Sequence, residues 1–454
     1  MRAPLAFLLF SLTALAQDAR TVTEPSIPPS CAVLLANIGR AGASIAPQDE
    51  TKPDTRRIQT ALDQCPPGHA VLLRRSNPRT DAFLSGPLDL RRGVVLVVER
   101  GAYLYASRNP RDYDRQPGAC GVIRPTGGGC RALINGENVS DSGVMGDGAI
   151  DGRGGETLLG GQPTWWNLAD QARQGGFQNN PRLIVLTHCD NFVLYRITLM
   201  NSPNFHVSYT HGNGFTAWGV KIWCPERARN TDGIDPGNST NVTIAHCYIH
   251  TGDDHVAIKA GPGALTTRMS IVHNHFYTGH GMSIGSETAG GASAILVSDL
   301  SIDGADNGLR IKSAVTRGGL VHDVTYEDVC IRDTEFPIAM DTGYTAFTPP
   351  ANAEGSLIPQ FRDITLRNVR IEGEGTVLLH GIDAGHRLNI LFDNVVFADP
   401  SKIRTSARHA EIKVKCADTF NLRTAGDDVS LQTIPGEAAP NTCPAKFVPF
   451  PPDR

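Results

Sequence analysis

The runs Val242-Thr243-Ile244, Met269-Ser270-Ile271-Val272 and Ile295-Leu296-Val297 decide how this chain folds. Each is a short, largely β-branched stretch bounded by Gly, Asn and Asp, and they recur at a period of roughly 25 residues, within the range that marks solenoids. Moving outward, similar runs stand at Phe192-Val193-Leu194 and Phe215-Thr216-Ala217 on one side. On the other side are Val321-His322-Asp323-Val324, Ile364-Thr365-Leu366 and Ile390-Leu391-Phe392, with Val94-Val95-Leu96-Val97-Val98 as an early example. Some carry a second run close behind, as in Tyr195-Arg196-Ile197-Thr198-Leu199 and Tyr248-Ile249-His250, with no helical pattern between. Several short strands per period with polar corners predict an all-β chain, a parallel β-helix in which each period is one circuit. A β-sandwich fits poorly with so long an array, and a propeller would show a repeated blade signature. Asn241, Asn274 and Asn394 fall near the corners, where Asn tolerates left-handed backbone.

The flanks read differently. Asp54 to Cys65 carries Ile58, Ala61 and Leu62 at helical spacing, with Asp54 placed to cap the start and Pro66-Pro67-Gly68 to stop it. This helix is expected to cover the open amino-terminal end of the stack. The opening residues read as an export signal over 1–16: a positive start at Arg2, an apolar run from Leu5 to Leu15, then Ala14-Leu15-Ala16. No other stretch is long and apolar enough for a membrane span, so an exported, extracellular protein is expected. The divisions that follow are a 17–70 segment with the capping helix, a 71–416 β-helix, and a 417–454 tail laid on the surface.

Charge and cysteines narrow the partners. The net charge of -4 offers no attraction to nucleic acid, and any grip on an acidic substrate must come from local cations. Ten cysteines in an exported chain point to disulfides. The expected pairs are Cys31/Cys65, Cys120/Cys130 and Cys416/Cys443; Cys224 and Cys247 lie about one circuit apart and could face each other, while Cys189 and Cys330 read as buried thiols. No C-x-x-C pair offers a structural zinc site, and no metal or cofactor is expected.

Chemistry concentrates in four segments separated by about one circuit each. They are Asn230-Thr231-Asp232-Gly233-Ile234-Asp235, Gly252-Asp253-Asp254, Gly279-His280-Gly281 and Arg310-Ile311-Lys312. Stacked on successive coils, they make one patch of acids, an imidazole and two cations. Taken alone, each has a plain structural reading: Asp-Gly is a common turn, Asp-Asp a solvated corner, a lone His a structural one, and Arg-x-Lys a cationic strand face. Together they suit glycosidic hydrolysis, which needs a proton donor for the leaving oxygen and a carboxylate to activate water. Crowded carboxylates cannot all ionise, so one remains an acid beside anionic neighbours. Adjacent Asp253 and Asp254 would face opposite sides of a regular strand, and Gly252 permits the irregular backbone that lets both reach one cleft.

In order and spacing, these segments resemble the signatures of the polygalacturonases, pectin-degrading glycoside hydrolases with a right-handed parallel β-helix. Trp165-Trp166, Asn201-Ser202-Pro203-Asn204-Phe205-His206 and Gly279 through Thr288 look like the bacterial secreted endo-acting members. The resemblance implies Asp253 as general acid, Asp232 and Asp254 as holders of the attacking water with inversion at the anomeric carbon, and His280 beside the acid. It also implies Arg310 and Lys312 as the site for the galacturonate carboxylate next to the scissile bond, with Tyr344 in Asp341-Thr342-Gly343-Tyr344 as a substrate tyrosine and Asn230 shaping the site. Asp235 is read as supporting structure. His255 departs from the family's usual small polar residue or Cys, and either packs inward or perturbs the acid. The implied partner is polygalacturonate, bound by a monomer without a cofactor.

Three rivals remain open at this level. A pectate lyase of the same architecture would use calcium and an arginine base, lose activity to chelator and produce unsaturated uronate. A non-catalytic β-helix would bind polysaccharide without needing an acid/base pair. Exo-acting, rhamnogalacturonan and xylogalacturonan hydrolases share the architecture, and only product analysis separates endo from exo attack.

Overall fold

A computed structural model describes residues 17–161, 163–344, 357–416, 426–437 and 443–452. The expected export signal at 1–16 lies outside the described residues. The chain is a right-handed parallel β-helix, and one ladder of register partners runs through most of it. Phe192, Phe215, Val242, Met269, Ile295, Val324, Ile364, Ile390, Ile412 and Leu431 pair successively in parallel, one per coil. The periodic runs of the sequence are these rungs. Because each inward residue meets its counterpart one coil away, like stacks on like: Phe192 and Phe215 lie 6.3 Å apart and nearly parallel. The buried Val, Ile, Leu and Phe column forms one continuous core from Ala36 to Val414.

Each coil contributes strands to two sheets. Among the described residues, the larger sheet has 23 strands and wraps two faces; the smaller has 11 and forms the third. One coil reads Asn213–Trp218, Lys221–Trp223, then Ile234–Gly237 on the smaller sheet. The next reads Thr240–Ala245, Tyr248–His250, Val256–Ile258. Left-handed backbone at Asn241 (φ 55°) and Asn394 (φ 60°) turns two corners as expected. Asn274 does something else. It is fully buried, its Oδ1 accepting from the Cys247 N–H at 2.8 Å and its Nδ2 donating to the Ile244 carbonyl at 2.9 Å, so it closes the turn of the preceding coil.

Helix α1 (Thr55–Gln64) forms where its periodicity placed it and sends Ile58, Ala61 and Leu62 into the core. The outermost rung is the strand Ser30–Leu35, paired in parallel with His69–Arg74, so the stack starts ahead of residue 71. It also runs past 416: Val429–Ile434 adds a further rung on Ala410–Lys415, where a surface-laid tail was expected. Alternating Val429, Leu431 and Thr433 suit a strand, a pattern masked by the Pro- and Ala-rich residues around it. A second helix, α2 (Trp165–Gln171), is capped by Thr164 and packs Trp165 and Trp166 beneath the loops that flank the smaller sheet.

Cys31–Cys65 and Cys120–Cys130 are bonded as expected. The third pairing differs: Cys443 bonds Cys330, across 113 residues, and neither the expected Cys416/Cys443 bridge nor a thiol at Cys330 is found. The physical reason is the path of the tail. It returns along the larger sheet, with Phe447 against Arg332, Phe450 against Tyr277 and Lys446 paired to Asp299, which carries Cys443 to Cys330. Cys189, Cys224 and Cys247 are buried thiols, so Cys224 and Cys247 do not bridge. Among the described residues, no helix is long and apolar enough to cross a membrane.

Candidate active site

Register explains why distant residues meet. Ile234, Val256, Met282 and Leu309 are successive partners on the smaller sheet. Counting back two residues from each gives Asp232, Asp254, His280 and Asn307, which therefore line up on the turns leading into that sheet. Counting forward in the last two strands, Ser283 pairs with Arg310 and Gly285 with Lys312, so both cations reach the same groove from one strand face.

The three acids converge. One carboxylate oxygen from each of Asp232, Asp253 and Asp254 lies within 4.8 Å of the others. These are also the side chains that could hold a metal ion, although the chain's own cations already face them. Lys312 Nζ donates to Asp254 Oδ2 at 2.7 Å, Ser283 Oγ donates to Oδ1 at 2.7 Å, and Arg310 Nη1 stands 3.7 Å from Oδ1. Burial alone would raise the Asp254 pKa, but Lys312, Arg310 and Lys259 more than reverse it, and Asp254 is held below the usual carboxylate range.

Asp232 is the opposite case. It is buried, its Oδ1 has no hydrogen-bond partner, and burial together with the charges of Asp253 and Asp235 keeps its pKa well above the ordinary value. Asp253 is the least buried of the three. Its Oδ1 accepts from the Asp254 N–H at 2.9 Å and its Oδ2 from Asn230 Nδ2 at 3.4 Å, while Gln178 Nε2 donates to Asn230 Oδ1 at 2.8 Å. The site thus holds one desolvated acid, one acid open to solvent and one stabilised carboxylate.

The expected part of Gly252 needs restating. Its backbone is ordinary; what it provides is room, since a Cβ there would sit 2.2 Å from the Ala228 carbonyl oxygen. The turn itself is fixed by Thr251 Oγ1 donating to the Asp253 carbonyl at 2.7 Å. His280 N–H donates to that same carbonyl at 2.9 Å, and its Nδ1 lies 2.5 Å from Asp306 Oδ2. Burial works against a charged His280, but Asp306, with Asp253 and Asp254, raises its pKa.

His255 points inward. It stacks on Phe276 at 4.8 Å, its Nδ1 accepts from the Gly281 N–H at 3.0 Å, and its Nε2 lies 3.2 Å from the Thr278 carbonyl. Burial pushes its pKa down to about 4, so it is a neutral clamp on the 278–281 turn rather than a second charge beside the acid.

The eight expected site residues are joined by a continuous set of contacts around the three acids. Tyr344 closes the list: its ring lies 5.3 Å from the Arg310 guanidinium carbon and 5.4 Å from Lys312 Nζ. Two neighbours, Lys259 and Asp306, escaped the sequence reading, and a third, Asp235, was read only as support. Lys259 Nζ lies 3.6 Å from Asp235 Oδ2 and 3.9 Å from Asp232 Oδ2. Asp235, read as support, is buried with both oxygens lacking hydrogen bonds, and burial pushes its pKa up to about 7 against the pull of Lys259. Asp306 orients His280. The legible signal for Lys259 was its place in Val256-Ala257-Ile258-Lys259, a cation on the outward face of a buried strand just after the Asp pair.

Comparison with known proteins identifies the chain's relatives. Residues 124–417 match the model for glycosyl hydrolases family 28. A polygalacturonase of Ralstonia nicotianae is 40% identical over 94% of this chain and 92% of its own length. An endo-polygalacturonase of Pectobacterium carotovorum subsp. carotovorum is 44% identical over 87% of this chain and 93% of its own. The solved polygalacturonase from Erwinia carotovora ssp. carotovora superposes with a TM-score of 0.80 at 42% identity, covering 87% of this chain and all of that one.

Proposed function

The chain belongs to glycosyl hydrolases family 28, and from that premise we propose how its groove performs the reaction. The protein is a glycoside hydrolase that cleaves the α-1,4 bonds of polygalacturonate, attacking within the polymer. The observation that carries the residue roles is the convergence of Asp232, Asp253 and Asp254 within 4.8 Å beside Arg310, Lys312 and His280.

Asp253 is the general acid, being the least buried of the three and so the member a glycosidic oxygen can reach. The crowded cluster retains a proton, held at rest by buried Asp232; passing it to Asp253 arms the acid and leaves Asp232 able to take a proton from the water. Asp232 and Asp254 hold the attacking water, Asp254 as the anion fixed by Lys312 and Ser283, Asp232 as the desolvated partner. His280, with Nδ1 committed to Asp306, keeps Nε2 for the acid and the sugar. Arg310 and Lys312 take the carboxylate of the galacturonate next to the scissile bond, a match of planar fork and point charge to an anion. Tyr344 supports both cations, which places its ring where the same sugar would bind.

Inversion is the expected stereochemistry. These oxygens stand closer than the ~6.5–9.5 Å between acid and base in most inverting enzymes, so the water is gripped by two carboxylates together rather than by a lone base across the ring. Following the first-released anomer by NMR checks this; retained configuration would make Asp232 or Asp254 a nucleophile instead. Three disulfides suit an oxidising, extracellular setting for the enzyme. All eight site residues come from one chain, which is consistent with a monomer as the working unit.

Asp253→Asn tests the roles directly. Turnover of polygalacturonate should fall by about 10²–10⁴-fold, the usual worth of a general acid, while binding of oligogalacturonate is kept. Near wild-type turnover in that variant would remove Asp253 from the acid role.

A further inference from the structure

The column that carries the acids continues past them. Ile184 pairs with Val207 and Val207 with Ile234, so counting back two residues puts Arg182 and Phe205 in line with Asp232 and Asp254. With strands about 4.8 Å apart, Arg182 stands roughly 10 Å from the Asp232 rung. Lys312 and Arg310 stand two strands beyond the Asp254 rung on the other side. Cation-bearing rungs thus lie two strands away on both sides of the acids, although the Lys312 and Arg310 side chains reach back to Asp254 while no such contact is made by Arg182.

Arg182 is built to wait for an anion. It is half-buried, its guanidinium carbon lies 4.5 Å from the centre of the Phe205 ring, and Nη1 donates to Ser208 Oγ at 3.0 Å. Among the described residues, no carboxylate stands within ion-pair distance of it. Burial opposes its charge, Asp235 and Asp232 offset that only in part, and Arg115 adds repulsion. The Ser208 contact uses one of five N–H groups in a fork that fits a carboxylate. The Phe205 ring also has Lys259 Nζ 5.5 Å from its centre, so the guanidinium is seated on a ring that a second cation approaches.

We propose that Arg182, seated on Phe205, binds the carboxylate of a galacturonate unit on the side of the scissile bond opposite Arg310 and Lys312. This rests on the polygalacturonate reading and adds a second point at which the free acid is read. Gripping carboxylates on both sides of the cut also favours attack inside a chain over release of end units.

The test measures kcat and KM for wild type, Arg182→Gln and Arg182→Lys on pectins of rising methyl-ester content, with Tm recorded for each. On unesterified polygalacturonate, Arg182→Gln should raise KM about 10–100-fold, the worth of a hydrogen bond to a charged group, with kcat at saturation within a few-fold of wild type. Its kcat/KM should decline less steeply with esterification than that of wild type, and Arg182→Lys should recover part of the KM. An unchanged KM, or a loss of equal factor at every ester content, overturns the inference and leaves Arg182 a packing residue. Absence of polygalacturonate hydrolysis in wild type would instead overturn the parent reading.

Discussion

Arg153 and Asp232 are both buried charged residues of this solenoid, yet their surroundings are treated in opposite ways. Around Arg153, every carboxylate oxygen is matched. Its guanidinium donates to both oxygens of Glu50 and both of Glu156, and Arg108 and Ser44 donate to the same two acids. Around Asp232, one oxygen of its own carboxylate and both of Asp235 have no hydrogen bond, and Lys259 stands off at 3.6–3.9 Å. An unsatisfied buried polar group disfavours folding by about 1–3 kcal/mol, so such groups persist where something other than stability holds them. The first cluster ties the 44–50 segment to the early coils. The second leaves acids without protein hydrogen bonds at the place where the proposed reaction would use them.

That contrast can be broken by substitution, taking the larger effects first. Removing the acid Asp253 should hit turnover by orders of magnitude with little change in Tm. Arg153→Leu should do the reverse: it strands Glu50 and Glu156, so stability should drop by about 3–5 kcal/mol in denaturant unfolding while kcat of the folded fraction stays near wild type. A strong loss of kcat there would mean the two regions are coupled. Cys443→Ser opens a 113-residue loop and should lower stability by about 2–5 kcal/mol, again sparing kcat.

Smaller, but closer to the comparison, is the pH dependence of Asp235. Its folded-state pKa of about 7 exceeds the ordinary 3.8. The folded chain therefore keeps a proton that the unfolded chain releases between those values. Its contribution to stability is greatest below the unfolded pKa and is lost as pH rises through about 7. Asp235→Asn removes that dependence, so the Tm of the variant relative to wild type should climb between about pH 4 and about pH 8. A constant difference across that range would show that Asp235 titrates normally.

Much of this was legible in the sequence because a solenoid converts spacing into contact. Once the runs near Val242, Met269 and Ile295 are read as rungs, Asp232, Asp254, His280 and Arg310 must share a face. What spacing could not convey is what depends on register within a coil or on the path of the chain outside it. Lys259 reaches Asp235 from the next coil, and Asp306 reaches His280 from a turn; both look like ordinary polar residues in a linear reading. The Cys330–Cys443 bridge depends on the returning tail, whose course no periodicity encodes. His255 was ambiguous for a related reason: whether a turn residue faces in or out is decided by its neighbours, here Phe276 and the Gly281 N–H.

The most direct measurement is kcat and Tm together for Asp232→Asn. The amide relieves repulsion with Asp253 and Asp235 at a buried site whose charge is poorly matched, so the expected result is a Tm equal to or above that of wild type with turnover reduced about 10²–10⁴-fold. Near wild-type turnover on polygalacturonate, or a folded state markedly less stable than the parent, would contradict the account.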